Sequence, residues 1–287
     1  MKVLVTGAGG FLGRHLAVDL ARQGLDVLAA YRNAPPEGLA NPARLDLATA
    51  GELPGGIEAV VHAAATSAWA GVPADAMARD NVEATRRLIA LATKAGAKRF
   101  VFCSSMSAFG DIKSGAVDES TPVADPDVYG MTKLIGEALL SEAAPGLSGL
   151  ALRLPAVVGP GAKRNFLAEA ARKMTSGQDV SIFNPDAPFN NAVHCADLGA
   201  LVGGVLRRGW QGYDMLVLGA AGMTTIRGAV ERLQARLGSR STIVVRAARK
   251  GAFTLDSARA IQRFGYRPME IGAMLDRYAD EESAAKA

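Results

Sequence analysis

The sequence predicts an α/β fold, a doubly wound parallel sheet with a smaller C-terminal substrate-binding lobe, on three observations. Short apolar runs alternate with helical segments through the first half, a glycine-rich turn follows the first run, and after Pro160 the regular alternation gives way to a stretch carrying Pro185 and Pro188. Strands that alternate with helices belong to a parallel sheet covered on both faces. At 287 residues, 49% hydrophobic and 21% charged, the chain can bury a substantial core as one large domain or two lobes.

The first apolar run, residues 3–6, leads straight into glycines at 7, 10 and 13. In a strand–turn–helix unit Gly7 permits the sharp turn, Gly10 lets a pyrophosphate approach the backbone and Gly13 lets the helix pack close to the strand. The free N–H groups of the helix's first turn, from Phe11 and Leu12 onward, then face an anion. Apolar residues at 16, 17 and 20 continue the helix and a second strand follows at 26–31, which makes the segment a Rossmann-type dinucleotide fingerprint rather than a glycine-rich hairpin. Further strands are expected at 44–47, 59–63, 100–104 and 150–154, with helices at 77–95 and 128–143. Beyond Pro160 come a helix at 165–175 and a strand at 180–183, then a return to the sheet through 191–194, 196–207 and 215–218. Final helical segments are expected at 225–237 and 257–279. The division that follows is a dinucleotide-binding domain over 1–158, rejoined by about 189–219, and a substrate-binding lobe over about 159–188 and 220–287. In doubly wound sheets ligands bind in the crevice at the carboxyl ends of the strands.

Residues 129–133 read Tyr-Gly-Met-Thr-Lys, and on a helix residues four apart share one face, so Tyr129 and Lys133 point into one site. An ammonium beside a phenol favours the phenolate, which would make Tyr129 a usable proton acceptor near neutrality. The end of the second strand bears on the cofactor. A carboxylate there would bond the ribose 2′-hydroxyl of NAD, whereas an arginine pairs with the 2′-phosphate of NADP. The chain has Ala30-Tyr31-Arg32 and no acid, so NADP is favoured over NAD.

Composition excludes several classes. No run approaches the roughly 18 to 20 apolar residues that span a bilayer, and Lys2 precedes a short apolar run that ends in a glycine turn, which is not a signal-peptide pattern. Cys103 and Cys195 sit in apolar segments without metal-ligand spacing, so reduced core thiols, no metal and a cytoplasmic setting are expected. The net charge of +4 is scattered over pairs such as Arg86-Arg87 and Arg207-Arg208, with no basic stripe interleaved with aromatics. Phosphate-bearing small molecules fit this better than nucleic acid.

The Gly-x-x-Gly-x-x-Gly spacing at residue 7, Tyr-x-x-x-Lys at 129 and the serine-rich segment Phe102-Cys-Ser-Ser-Met-Ser-Ala-Phe-Gly110 resemble the extended short-chain dehydrogenase/reductases, the group that includes the UDP-galactose 4-epimerases. The resemblance spans nearly the whole chain and implies nicotinamide redox chemistry, in which hydride moves between a carbinol or ketone carbon and the cofactor while Tyr129 moves the proton. It implies that Ser105, after Cys103 and Ser104, bonds the reacting oxygen, and that Lys133 also holds the nicotinamide ribose. It further implies cofactor contacts from Ser104, from Asp46 and Leu47 at the adenine, from Ala63, Ala64 and Ala65 along the diphosphate and ribose, and from Pro155 to Val157 beside the nicotinamide.

On the substrate side the resemblance points to a nucleotide sugar, with Asn165 at the phosphates, the backbone around Ser181 at the base and Phe183 capping it. Asn190 stands where the family usually has a diphosphate-binding arginine, so Lys163, Arg164, Arg246 or Arg249 would have to supply the charge. His194 reads as structural. The related dehydratases carry an Asp-Glu pair directly after the active-site hydroxyl residue, and Met106-Ser107 here argue against dehydration. A sugar-nucleotide epimerase or ketoreductase is therefore expected, and the alternative is an NADPH-dependent reductase of a small ketone or aldehyde without a nucleotide. The family's four-helix interface implies a homodimer through helices 77–95 and 128–143, with Val82, Leu88, Ile89, Leu91, Leu134, Ala138 and Leu139 as the apolar positions.

Overall fold

The computed structural model describes all residues except 37, 68–70, 114, 249 and 285–287. Seven strands form the central sheet: β1 (Lys2–Thr6), β2 (Asp26–Tyr31), β3 (Pro42–Arg44), β4 (Ala59–His62), β5 (Arg99–Ser105), β6 (Ser148–Leu154) and β7 (Tyr213–Val217). Their order is β7-β6-β5-β4-β1-β2-β3 and every neighbouring pair is parallel. Val3 therefore lies between Val27 and Ala59. The chain winds outward from β1 in both directions, the doubly wound Rossmann arrangement, so the crevice opens where β1 and β4 part company at their carboxyl ends.

Continuous apolar runs make these strands, as burial on both faces requires. Val3, Leu4, Val5, Ala59, Val60 and Val61 are fully buried. On one face α1 (Phe11–Arg22) brings Leu16, Ala17 and Leu20 against Leu198, Val202 and Val205 of α6 (Cys195–Arg208). The other face is covered by α2 (Ala74–Ala78), a π-helical turn (Arg79–Glu83), α3 (Ala84–Lys94) and α4 (Val128–Ala143). There Leu88, Ile89, Leu91 and Leu140 pack on Leu4, Val60, Phe100 and Phe102. The expected dimer face is corrected accordingly, because Leu88, Ile89 and Leu91 belong to this core. Val82, Leu134 and Leu139 are half-buried and Ala138 is exposed, while the large apolar side chains that α4 leaves to solvent are Met131 and Ile135.

A separate core lies between α5 (Phe166–Thr175), α7 (Ile226–Arg236) and α9 (Ile271–Ala284), with Leu167, Ala171, Met174, Val230, Leu233, Met274 and Tyr278 inside it. Three two-stranded pieces border it: Ala156–Val158 with Ala192–His194, Val180–Ile182 with Ile243–Val245, and Pro188–Phe189 antiparallel to Thr224–Thr225. A fourth, Thr254–Leu255 on Ala116–Val117, ties the C-terminal region to the loop before α4.

Several expected elements differ. The third strand is Pro42–Arg44 rather than 44–47, because Asp46 starts a turn: its carboxylate accepts from the Ala48 N–H at 3.0 Å and its carbonyl from Ala50 at 2.9 Å. The segment at 191–194 does not rejoin the main sheet. Pro155 lacks an N–H and interrupts the strand after Leu154, so Ala156–Val158 leaves the sheet and takes Ala192–His194 with it. The helix expected at 257–279 is two, α8 (Ala258–Phe264) and α9, separated by left-handed Gly265 and by Pro268. Strands Ile243–Val245 and Thr254–Leu255 were not expected at all.

Candidate active site

The turn after β1 is built by close approach. Gly7 sits at φ +73°, a Cβ on it would meet the Ala64 backbone nitrogen at 2.7 Å, and a Cβ on Gly13 would collide with the Gly7 carbonyl. No acidic residue lies in the first turn of α1 and no side chain caps it, so its leading N–H groups are without a side-chain acceptor among the described residues. In front of them opens a cleft of about 600 Å³ lined by Gly7, Gly10, Arg32, Asp46, Leu47 and the Ala63–Ala65 backbone, among others. Donors at a helix N-terminus, an approach free of Cβ atoms and this volume fit a dinucleotide. Arg32 lies on the cleft wall at the end of β2, 3.6 Å from Asp80.

Tyr129 and Lys133 share a face of α4, whose start is fixed by Asp127, the carboxylate of which accepts from Gly130 N–H at 2.7 Å. Gly130 is required because a Cβ there would strike the Ser107 carbonyl. That contact seats α4 on the short 3₁₀ turn Met106–Phe109, which Ser105 caps by accepting from Ser107 N–H at 3.1 Å. Ser105 is half-buried at the carboxyl end of β5, whereas Ser104 points inward and donates to Glu137.

The electrostatics correct one expectation. The Lys133 ammonium donates to the Cys103 carbonyl at 2.8 Å and lies over the faces of Phe102 and Tyr129, 4.9 and 5.6 Å from their ring centres. Burial pushes Lys133 down to about 8, against the Cys103 thiol and the Glu137 carboxylate, which favour its charge. Tyr129 is pushed up to about 12, first by burial and then by Cys103 and Asp127, rather than down by its lysine. Desolvation of the phenolate outweighs an ammonium placed over the ring, and Tyr129 keeps its proton at neutral pH.

Residues not singled out from the sequence complete the surroundings. Asn81, buried in the π turn, accepts from Thr66 N–H at 2.7 Å and donates to the Thr66 carbonyl at 2.9 Å and to Thr132 at 3.1 Å. Thr132 in turn donates to the Tyr129 carbonyl at 2.8 Å, so the loop after β4 is tied to α4. π turns gather at functional sites. Glu137, one turn beyond Lys133, holds Arg153 through both carboxylate oxygens, the shortest contact being 2.7 Å, and both are buried. The Tyr129, Lys133, Glu137 spacing continues one helix face, and that was the available signal. His62 is buried between Thr6 and Thr85 at 2.7 and 3.0 Å, and burial, helped by Lys133, pushes it down to about 3.

The substrate-side residues are placed differently. Asn165 caps α5 by accepting from Ala168 N–H at 2.9 Å and donates to the Val157 carbonyl at 3.0 Å, which occupies both ends of its amide beside the Pro155 to Val157 segment. Asn190 is buried and does not face a crevice: it accepts from Leu255 N–H and donates to the Leu255 carbonyl, both at 2.8 Å, and reaches the Ala220 carbonyl at 3.4 Å. Its place among the substrate residues is thus corrected, since every group it has is used on backbone. Ser181 sits in register with Val244, and Arg246 N–H bonds the Ile182 carbonyl at 2.8 Å, which sets Arg246 beside exposed Phe183. Lys163 and Arg164 are exposed just before α5, and Arg249 lies outside the described residues. His194 caps α6 by accepting from Ala196 N–H at 3.2 Å and pairs with Glu281 at 2.8 Å.

The chain is similar to known proteins over much of its length. D-erythronate dehydrogenase of Cupriavidus necator is 30% identical over 275 residues, 83% of each chain. YtcB of Bacillus subtilis, described as an uncharacterized UDP-glucose epimerase, is 33% identical over 184 residues, covering 56% of this chain and 58% of its own length. The solved structure of MoeE5 in complex with UDP-glucuronic acid and NAD superposes over the full length of both chains with a TM-score of 0.84 and 27% identity. The profile of the NAD dependent epimerase/dehydratase family matches residues 3–214, and with the Gly7 turn and the Tyr129–Lys133 face set as described, the chain is an enzyme of that family.

Proposed function

We propose that this enzyme transfers hydride at a carbinol or ketone carbon of a nucleotide sugar, as an epimerase or ketoreductase, with Tyr129 moving the proton. The observation that carries the reading is the Lys133 ammonium, over the Tyr129 ring and bonded to the Cys103 carbonyl two residues before Ser105 on β5, in a fold whose Gly7 turn is shaped for a dinucleotide. When bound, a nicotinamide supplies the hydride acceptor or donor. Gly7, Gly10, Phe11, Leu12 and Gly13 would hold its pyrophosphate, Asp46 and Leu47 its adenine end, Arg32 a 2′-phosphate, and Ala63 to Ala65, Ser104, Pro155 and Val157 the path between. Ser105 orients the reacting oxygen, and a protonated Tyr129 is ready to donate to a carbonyl. Proton removal from a carbinol would need Tyr129 as the phenolate, the form that the Lys133 ammonium over its ring would favour once a bound substrate and cofactor reshape the site.

For the substrate, Phe183 and the neighbouring Arg246 offer an aromatic face and a cation at the edge of the small lobe, as a base and phosphate would use. A second reading, reduction of a small ketone or aldehyde without a nucleotide, is favoured by one observation: the position where a diphosphate-binding arginine was sought is Asn190, consumed in the interior. The extended match to an erythronate dehydrogenase points the same way. Mass spectrometry of the protein denatured as purified separates the two. Retained NAD is expected for an epimerase, and an empty site with no stabilisation by UDP would transfer the assignment to the reductase. Exposed Met131 and Ile135 on α4 are the surface through which a homodimer would form, and the two free, buried thiols suit a reducing compartment such as the cytoplasm.

A further inference from the structure

The cofactor cleft is bridged by charge. Arg32 follows β2 on one side of the crevice, and Asp80, second residue of the π turn, lines it on the other. Their closest atoms, an Arg32 guanidinium nitrogen and Asp80 Oδ2, are 3.6 Å apart. The same Oδ2 accepts from the Thr66 hydroxyl at 2.9 Å, and the Thr66 backbone is clamped on both sides by Asn81. Asp80 is therefore a carboxylate aimed into the cleft by its surroundings.

Of the other charges on the cleft wall, Arg79 is exposed beside Asp80 and three are engaged elsewhere. Glu83 is held by Arg86 at 2.7 Å, Arg87 donates to the Ala50 carbonyl at 3.2 Å, and the Asp46 carboxylate accepts from Ala48 N–H. Arg32, 55% exposed, and Asp80, 32% exposed, make the ion pair that spans the cleft among the described residues.

We propose that Asp80 is a specificity-determining residue: it competes with a 2′-phosphate for Arg32 and so holds down the preference for NADP over NAD. The inference rests on the reading of Arg32 as the phosphate ligand. A dianionic phosphate forms stronger charge-assisted bonds to a guanidinium than a single exposed carboxylate does, so the pair opens when NADP binds. The opening leaves Asp80 close to the phosphate without its cation, and both the lost pair and the repulsion count against NADP alone. NAD carries a hydroxyl there and is affected little by either.

The test is fluorescence titration of NADPH and NADH with wild type, Asp80→Asn, Arg32→Ala and the double variant. Asn keeps an acceptor for Thr66 and removes the charge. Asp80→Asn is expected to tighten NADPH about threefold, to leave NADH unchanged, and to show a smaller gain at high salt, where the interaction is screened. In the Arg32→Ala background the gain should shrink, because the competition has lost its object. An unchanged NADPH to NADH ratio in Asp80→Asn would overturn the inference, as would a full gain that persists without Arg32. Arg32→Ala is read by itself: if it fails to weaken NADPH against NADH, the phosphate role of Arg32 falls and the inference with it. An Arg32→Ala loss with no Asp80→Asn gain sinks the inference alone.

Discussion

The sheet lobe and the small lobe treat their polar groups in opposite ways. Around the crevice some groups are left open: the first turn of α1 has no side-chain cap and Ser105 keeps a half-buried hydroxyl at a strand end. In the small lobe the polar residues expected to meet a substrate are already satisfied, Asn165 by a helix end and Asn190 by two backbone segments. Open groups await a ligand, and satisfied groups hold an architecture. The proposed cofactor side is therefore read from residue type and spacing, while on the substrate side the proposal turns to surface residues such as Phe183 and Arg246.

The sharpest way to break this comparison is Tyr129→Phe. Loss of the proton carrier should raise the activation barrier by about 3 to 5 kcal/mol with cofactor binding nearly intact, and a turnover within about threefold of wild type would show that the open groups are not catalytic. Asn190→Ala should do the reverse. It leaves buried backbone groups of Leu255 without partners, so a stability loss of about 2 to 4 kcal/mol in urea melts is expected, with an unchanged KM for substrate; a raised KM at normal stability would return Asn190 to the binding site.

Lys133 gives a pH test. Its folded-state value of about 8 lies below the ordinary lysine value of 10.5, so between these the unfolded chain binds more protons and stability rises with pH. The penalty of burying the charge is present in full below pH 8. Relative to Lys133→Met, the wild type should gain about 2 kcal/mol between pH 8 and 10, and parallel curves would mean the ammonium is hydrated. The smallest expected effect is at Arg32, which is half-exposed: Arg32→Asp should weaken NADP by about 1.5 kcal/mol, with NAD unchanged or improved. Equal weakening of both in calorimetry would remove the 2′-phosphate from its role.

The glycine turn and the Tyr129–Lys133 face were legible because each is a local spacing, and local geometry turns spacing into position. β2 was placed to the residue and α4 from end to end for the same reason, since apolar periodicity and Asp127 mark them. What the sequence hid depends on distant partners. The proton state of Tyr129 follows from burial that only the packed sheet produces, and Arg153 meets Glu137 because β6 lies next to β5. Asn190 looked like a weakened binding residue because its partner, Leu255, belongs to a strand too short to carry a periodic signal. Pro155 was visible, but its effect, the diversion of Ala156–Val158 out of the sheet, became clear only with Ala192–His194 beside it.

The pairing of Thr254–Leu255 with Ala116–Val117 bears on how the enzyme matures on the ribosome. The loop it secures lies between Ser105 and Tyr129, so the segment joining these two residues is held by a strand far downstream in the chain. Domains fold N-terminal first as they emerge, and this pairing can form only after residues 254–255 have been synthesised, long after the Gly7 turn.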